Sequence, residues 1–207
     1  DGLAASGIDG VYIATPNSLH ASQAVFFLQR GIHVLGEKPA ASNLAELDRM
    51  LKVSSENNAV YMEAMRPLHD PLWQAVKVAL CRIGRIRRAD FEFCQYSSRY
   101  DRHMAGEYTN TFDSSFSNGG IMDIGVYPVH VLLWLFGAPR DVWASAVKIP
   151  GASSGSRDRC SDYDALGSIL LTYEDFYCEA VYSKITQSVF PSVIQGELGS
   201  VVIDKIS

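Results

Sequence analysis

Lys38 stands between Glu37 and Pro39, directly after the apolar run of Ile32, Val34 and Leu35. A charged pair at the end of a buried strand is costly unless its side chains leave for solvent or are put to use. An ammonium held at such an end can stabilise a developing negative oxygen. Pro39 restricts the backbone of Lys38 itself, which favours a held side chain. A second group lies in GGIMDIGVYPVHVLLWLFG, residues 119–137, where Asp123, Tyr127, His130 and Trp134 fall on one face of a helix. Aspartate, tyrosine and histidine can all move protons. Their neighbours are Ile, Met, Val, Leu and Phe, so the stripe must face a cavity, a cofactor or hydrogen-bonding partners. Two readings stay open: a reacting site, or a satisfied network with Asp123 bonding Tyr127 and His130 bonding a carbonyl. Pro128 removes one helical hydrogen bond and predicts a kink or late helix start near Tyr127.

The elements that must position these residues fall into two textures. Residues 11–14, 33–35 and 60–62 read as short buried strands. Residues 18–30 form a helix with Ala21, Ala24, Val25 and Leu28 on its apolar face and Gly31 as its stop. Asn43 caps a second helix, Glu46 completes a capping box, and Leu44, Leu47 and Leu51 make its stripe. Strand, helix, strand, helix, strand is the pattern of a parallel sheet with right-handed crossovers. Ligands bind at the carboxyl ends of such strands. Three exits converge there: Thr15-Pro16-Asn17, Glu37-Lys38-Pro39, and Glu63 with Arg66-Pro67. Asp70-Pro71 opens another helix, with Leu72, Ala75, Val76, Ala79 and Leu80 inward. Beyond it, residues 85–97 and 142–149 read as strands, as do hairpins over 165–185 and 193–203. The fold class is therefore α/β, a partial Rossmann-type parallel sheet (residues 1–67) followed by an α+β domain with a mainly antiparallel open sheet (residues 68–207).

Bulk composition narrows the function. Net charge is −5 with 47% hydrophobic residues, so no basic stripe exists for nucleic acid. Arg82, Arg85, Arg87 and Arg88 are expected to protect a sheet edge. No apolar run approaches the ~18 residues of a membrane span, and no signal peptide is expected. The chain is expected in the cytoplasm. Cys81, Cys94, Cys160 and Cys178 show neither a C-x-x-C pair nor zinc spacing, so no metal is expected. No G-x-S-x-G or H-E-x-x-H signature occurs.

With VYIATPNSLH, HVLGEKPA and GGIMDIGVYPVH in order, the chain resembles the Gfo/Idh/MocA family of nicotinamide-dependent oxidoreductases. The resemblance implies NAD or NADP as cofactor. It implies cofactor-lining roles for Thr15, Pro16, Asn17, His20, Glu37, Lys38 and Arg66, with Lys38 beside the nicotinamide and the reacting carbinol. Asp123 matches the aspartate of the family's motif, Tyr127 stands where many members have histidine, and His130 stands in place of a second aspartate. A tyrosine there sets the chain apart from the myo-inositol pattern and toward dihydrodiol, xylose and glucose-fructose relatives. The resemblance further implies a homo-oligomer, dimer or tetramer, built through the antiparallel sheet. The G-x-G-x-x-G turn that would hold the pyrophosphate is absent from the sequence, so roughly sixty N-terminal residues of the pattern and part of the last sheet are expected to lie outside the chain.

The reaction expected is hydride transfer between NAD(P) and a secondary alcohol of a sugar, polyol or cyclic diol. The carbinol proton must leave as the hydride does, so a base and a positive charge must meet the oxygen. Tyr127 is the expected acid/base, Lys38 the charge, Asp123 the orienting group and His130 the reserve. Tyr100, Asp101, Arg102, Tyr108 and Asn110 are candidate substrate contacts. The other reading is a sugar- or cofactor-sensing regulator without catalysis.

Overall fold

The computed structural model describes residues 7–152 and 162–206. The chain divides into two compact units, residues 1–65 with 115–118 and residues 66–114 with 119–207.

In the first unit, β1 (Gly10–Ile13), β2 (His33–Gly36) and β3 (Tyr61–Glu63) pair in parallel in chain order. Helices α1 (Asn17–Leu28) and α2 (Leu44–Glu56) make the two crossovers. Helix α1 buries His20, Ala21, Ala24, Val25 and Leu28, one stripe of its surface, against Ile13, Val34, Met50 and Ala59. It ends because Gly31 adopts a φ of 72°, a left-handed turn that side chains resist. At the start of α2, Asn43 accepts the Glu46 N–H at 3.0 Å, and the Glu46 carboxylate accepts the Ser42 N–H at 3.0 Å. The capping box thus forms one residue wider than its usual reciprocal pattern. The stripe expected on α2 is rotated: Leu44 and Leu51 are exposed, and the helix seats Met50 with Val53 beside it. Three leucines outrank one methionine in hydrophobicity, yet Met50 is the residue the helix buries.

The second unit is built on a six-stranded sheet ordered β5-β6-β7-β4-β8-β9. Its strands are β4 (Ile86–Cys94), β5 (Asp141–Pro150), β6 (Asp162–Thr172), β7 (Tyr177–Ser183), β8 (Ser192–Gly196) and β9 (Gly199–Ile203). Every pairing is antiparallel except β4 with β7. Helix α3 (Pro71–Leu80) starts from Asp70, which accepts the Leu72 N–H at 2.8 Å, with Pro71 at its first position. It buries Trp73 and Val76 and leaves Leu72 exposed, so its inward face is also turned from the one expected. Trp73 stacks near Phe91 of β4 at 6.0 Å between ring centroids. Short helix α4 (Tyr100–Met104) follows, and α5 (Val126–Phe136) inserts Val131 and Leu132 into the core.

Two more expectations differ from the structure. The arginines of β4 do not guard an edge, since β4 lies between β7 and β8. Arg87 reaches Glu197 and the Asp175 carbonyl, and Arg88 pairs with Asp90 at 2.7 Å, so acceptors on and around the sheet take up the charge. The helical stretch Ser114–Phe136, 23 residues, does reach the length and apolar character of a membrane span. A count of unbroken apolar residues stops at each polar one, whereas an average over the stretch dilutes them. The α-helical part is only the 11 residues of α5. Its rise is roughly 16 Å, against a hydrocarbon core of about 30 Å.

Candidate functional site

At the carboxyl ends of β1, β2 and β3 the connecting loops are held by buried and charged side chains of the same unit. His20, 2% exposed on α1, places Nδ1 2.9 Å from the Pro39 carbonyl and Nε2 2.8 Å from the Thr15 carbonyl. Which ring nitrogen donates depends on the tautomer, and both strand-end loops meet this one buried ring. His20 therefore ties the Thr15 and Pro39 loops together from beneath. Glu63, at the end of β3, accepts the Ala40 N–H at 2.8 Å and fastens the far side of the same loop. Glu37 accepts the Tyr12 hydroxyl, which holds that phenol above its ordinary range. Lys38 is half-buried, and its bond to Pro39 is cis. Thr15 is exposed and donates to Gln23 at 2.9 Å, and Pro16 is exposed beside it. The Asn17 amide donates to the Ser117 carbonyl at 3.2 Å and to Asn118 at 3.1 Å. These loops suit the nicotinamide side of a dinucleotide: a fixed edge with polar, partly open groups. The described residues contain no glycine turn for its pyrophosphate.

The second unit carries the other group. Asp123 lies in a π-helical turn, Ile121–Gly125, that runs directly into α5. The wider turn breaks the α-helical register between Asp123 and Tyr127, and such turns recur at functional sites. Pro128 sits buried in the first turn of α5, where its missing N–H is tolerated. The π turn is anchored by Asp164 of β6, whose carboxylate accepts the Ile121 N–H at 2.7 Å and the Tyr182 hydroxyl at 2.8 Å. The Tyr182 ring fills a slot that only glycines leave open. A Cβ at Gly120 or Gly125 would come within 2.9 Å of the ring, and one at Gly167 within 2.5 Å of its hydroxyl oxygen. The GG…G spacing in residues 119–125 is thus a packing requirement. Burial, then the Asp164 hydrogen bond, raises the Tyr182 phenol.

Asp123 forms an ion pair with Lys184 at 2.6 Å, and the lysine side chain is only 12% exposed. Sequence reasoning missed Lys184, which reads there as part of a hairpin. The signal was present, because a charge shortly after the run Ala180, Val181 and Tyr182 resembles the pattern seen at Lys38. Tyr163 lies alongside, 1% exposed, with no hydrogen-bond partner for its hydroxyl among the described residues. Burial and then the Asp123 charge raise that phenol.

The remaining candidates are more scattered. Tyr127 and His130 are half-buried on α5, and Tyr127 packs against Phe93 at 5.3 Å between centroids. Trp134 of the expected stripe faces Lys77 of α3, whose ammonium sits 3.5 Å from the ring centroid. Arg66 is exposed in a 3-10 turn, Arg66–His69, that belongs to the second unit. Tyr100 packs on Phe112, Arg102 is exposed and paired with Glu107 at 2.7 Å, and Tyr108 donates to Asp113 at 3.0 Å. Asp101 accepts the Tyr96 hydroxyl, and Asn110 opens a short 3-10 turn. Cys160 lies outside the described residues.

Residues 1–65 match the model of an oxidoreductase family with an NAD-binding Rossmann fold, and residues 77–202 match the GFO/IDH/MocA C-terminal domain. The uncharacterized oxidoreductase YgjR of Escherichia coli is 45% identical over 97% of this chain and 58% of its own length. The scyllo-inositol 2-dehydrogenase (NADP(+)) IolU of Bacillus subtilis is 44% identical over 96% of this chain and 57% of its own. The WlbA dehydrogenase from Bordetella pertussis, solved with NADH and UDP-GlcNAcA, shares the fold at a TM-score of 0.79. Its identity is 23%, over all of this chain and 58% of that one. The chain thus spans a little over half the length of the curated relatives it matches. With one model on each unit, the chain belongs to the Gfo/Idh/MocA family of oxidoreductases.

Proposed function

We propose that the protein is an NAD(P)-dependent dehydrogenase or reductase acting on a secondary alcohol of a sugar, polyol or cyclic diol. The observation that carries this reading is the fixed carboxyl edge of β1, β2 and β3, where His20 and Glu63 hold the loop bearing Lys38. The 44% identity to a relative named for scyllo-inositol and NADP supports the substrate class.

A bound nicotinamide supplies the acceptor or donor of hydride. The side chains of this chain then have two tasks, which are to remove the carbinol proton and to stabilise the charge left on oxygen. Lys38 supplies the positive charge. Tyr127 carries the proton, Asp123 orients the hydroxyl, and His130 is the second proton carrier. Thr15, Pro16, Asn17 and Glu37 line the cofactor side, with Arg66 as a further contact. His20 acts through the loops it holds. Tyr100, Arg102 and Tyr108 read the substrate's outer hydroxyls.

The test is nicotinamide fluorescence on titrating NADH and NADPH, followed by absorbance of the reduced cofactor with a panel of inositols, pentoses and cyclic diols. Cofactor binding with turnover on at least one of these is expected. Binding of a sugar without turnover would instead mark a regulator. Self-association belongs to the same proposal. The six-stranded sheet carries Trp143 and Val147 on β5, 69% and 53% exposed, as an apolar surface suited to a second copy. Sedimentation should give a dimer or tetramer that a Trp143→Glu variant dissociates.

A further inference from the structure

Lys184 occupies a built position. Its backbone N–H donates to the Ala165 carbonyl at 2.8 Å, and its carbonyl accepts the Ser97 N–H at 2.8 Å. The chain turns here on Ser183, fully buried, whose hydroxyl oxygen accepts the N–H groups of Ile185 at 3.2 Å and Thr186 at 2.9 Å. The base of the lysine is therefore fixed on both sides, and its ammonium reaches Asp123 at 2.6 Å. Asp123 is fixed too, through the π turn that Asp164 and Tyr182 anchor. Two charges mounted on rigid backbone lose little freedom by pairing, unlike the long surface side chains of a typical exposed pair. The mostly buried lysine also makes the pair costly to break from one side.

We propose that Lys184 is a positioning residue for the reaction: it holds the Asp123 carboxylate in the orientation that the substrate hydroxyl meets. This rests on the dehydrogenase reading above, because Asp123 has that task only in a reacting site. The lysine itself touches no reacting atom and acts through Asp123. A plain ion pair contributing only to stability would use the same contact, so the test must separate the two.

The experiment compares Lys184→Met, Lys184→Arg, Lys184→Ala, Asp123→Asn and the Lys184→Met/Asp123→Asn double variant in the whole protein. Folded fraction is set equal from urea curves. Positioning predicts that Lys184→Met lowers kcat by about 10²-fold while KM for the nicotinamide changes less than about twofold. The double variant should then be no slower than the slower single, because both act through one group. Lys184→Arg should recover part of the rate, and ethylamine should recover at least about tenfold in Lys184→Ala by restoring an ammonium at the vacated position. Carboxyl NMR of protein labelled with [4-13C]aspartate reads Asp123 without turnover, and its signal should move in Lys184→Met and return toward the parent position in Lys184→Arg. A kcat unchanged in Lys184→Met, or losses that multiply in the double variant, overturns the proposal. An unmoved Asp123 signal does the same. If the parent binds cofactor but oxidises no polyol or diol, the dehydrogenase reading falls first and this inference with it.

Discussion

The two units hold their chemistry in different ways. In the first, the polar groups sit at the ends of parallel strands, and their positions follow from the crossovers. His20 lies 5 residues from Thr15 and 19 from Pro39, and its two ring nitrogens sit within hydrogen-bond distance of both backbone carbonyls. In the second, Asp123 and the turn that carries it are placed by Lys184 and Asp164, side chains from distant strands of the sheet and their ends. The first arrangement is a property of topology with a local fastener. The second is a property of packing, in which three glycines, one tyrosine ring and two carboxylates must agree at once. A site of the first kind tolerates variation in the core beneath it. A site of the second kind moves when any one of its supports changes size.

That contrast can be broken most decisively by removing Lys38. Lys38→Ala should lower turnover by about 10²–10³-fold with limited loss of cofactor affinity, since a preorganised charge acts mainly in the transition state. Single-turnover absorbance beside fluorescence titration reads the two effects separately. Near-normal turnover would remove Lys38 from the chemistry and leave the first unit with binding alone. Next in size is His20→Ala, which removes the polar ring that both loop carbonyls meet and empties a buried position. A loss of about 2–3 kcal/mol is expected from urea unfolding, with cofactor affinity falling as the loops separate. Gly120→Ala should cost about 1–3 kcal/mol by overpacking. Its Cβ would press on the Asp164 carbonyl oxygen and stand 2.9 Å from the Tyr182 ring. It should lower kcat while leaving NAD(P)H affinity intact. If both substitutions instead weaken the cofactor equally, the two supports are not separate.

The smallest effect sharpens the comparison through pH. Burial raises the Cys178 thiol, in the second unit, from about 9 to about 12. A folded-state value above the unfolded one means stability that is complete below about pH 9 and is lost as pH climbs toward about 12. Cys94 acts in the same direction, raised to about 11 by burial and then by Glu92. In the first unit, burial also raises Tyr61, whose ordinary value is 10.0, so its loss begins higher. The second unit should therefore loosen first in alkali. All three tryptophans, Trp73, Trp134 and Trp143, belong to it, so tryptophan fluorescence reads it selectively. In Cys178→Ala the alkaline midpoint should rise, and the slope of stability against pH should fall by no more than one proton.

Much of the first unit was legible because its signals are local. A short strand, a helix with a glycine stop and a charged exit can each be read from neighbouring positions. The faces of α2 and α3 were misjudged for a related reason. Leu44, Leu51 and Leu72 look like core residues to any hydrophobic count, yet Met50 and Trp73 are turned inward instead. The arginines of β4 misled in the opposite direction. A basic strand resembles an edge until the acceptors that cover its charges, Glu197 and Asp90, are brought alongside by pairing.

For the candidate site, the residue types and their order along the chain were enough to identify Lys38, Asp123 and Tyr127 as groups able to do chemistry, because charge and proton capacity belong to the side chain itself. The family resemblance, too, lay in that order. Sequence could not pair Asp123 with Lys184, explain why glycine stands at 120, 125 and 167, or turn an even helix into a π turn. Those features depend on which distant atoms occupy the same few ångströms, and only the packed β6 and β7 strands decided that.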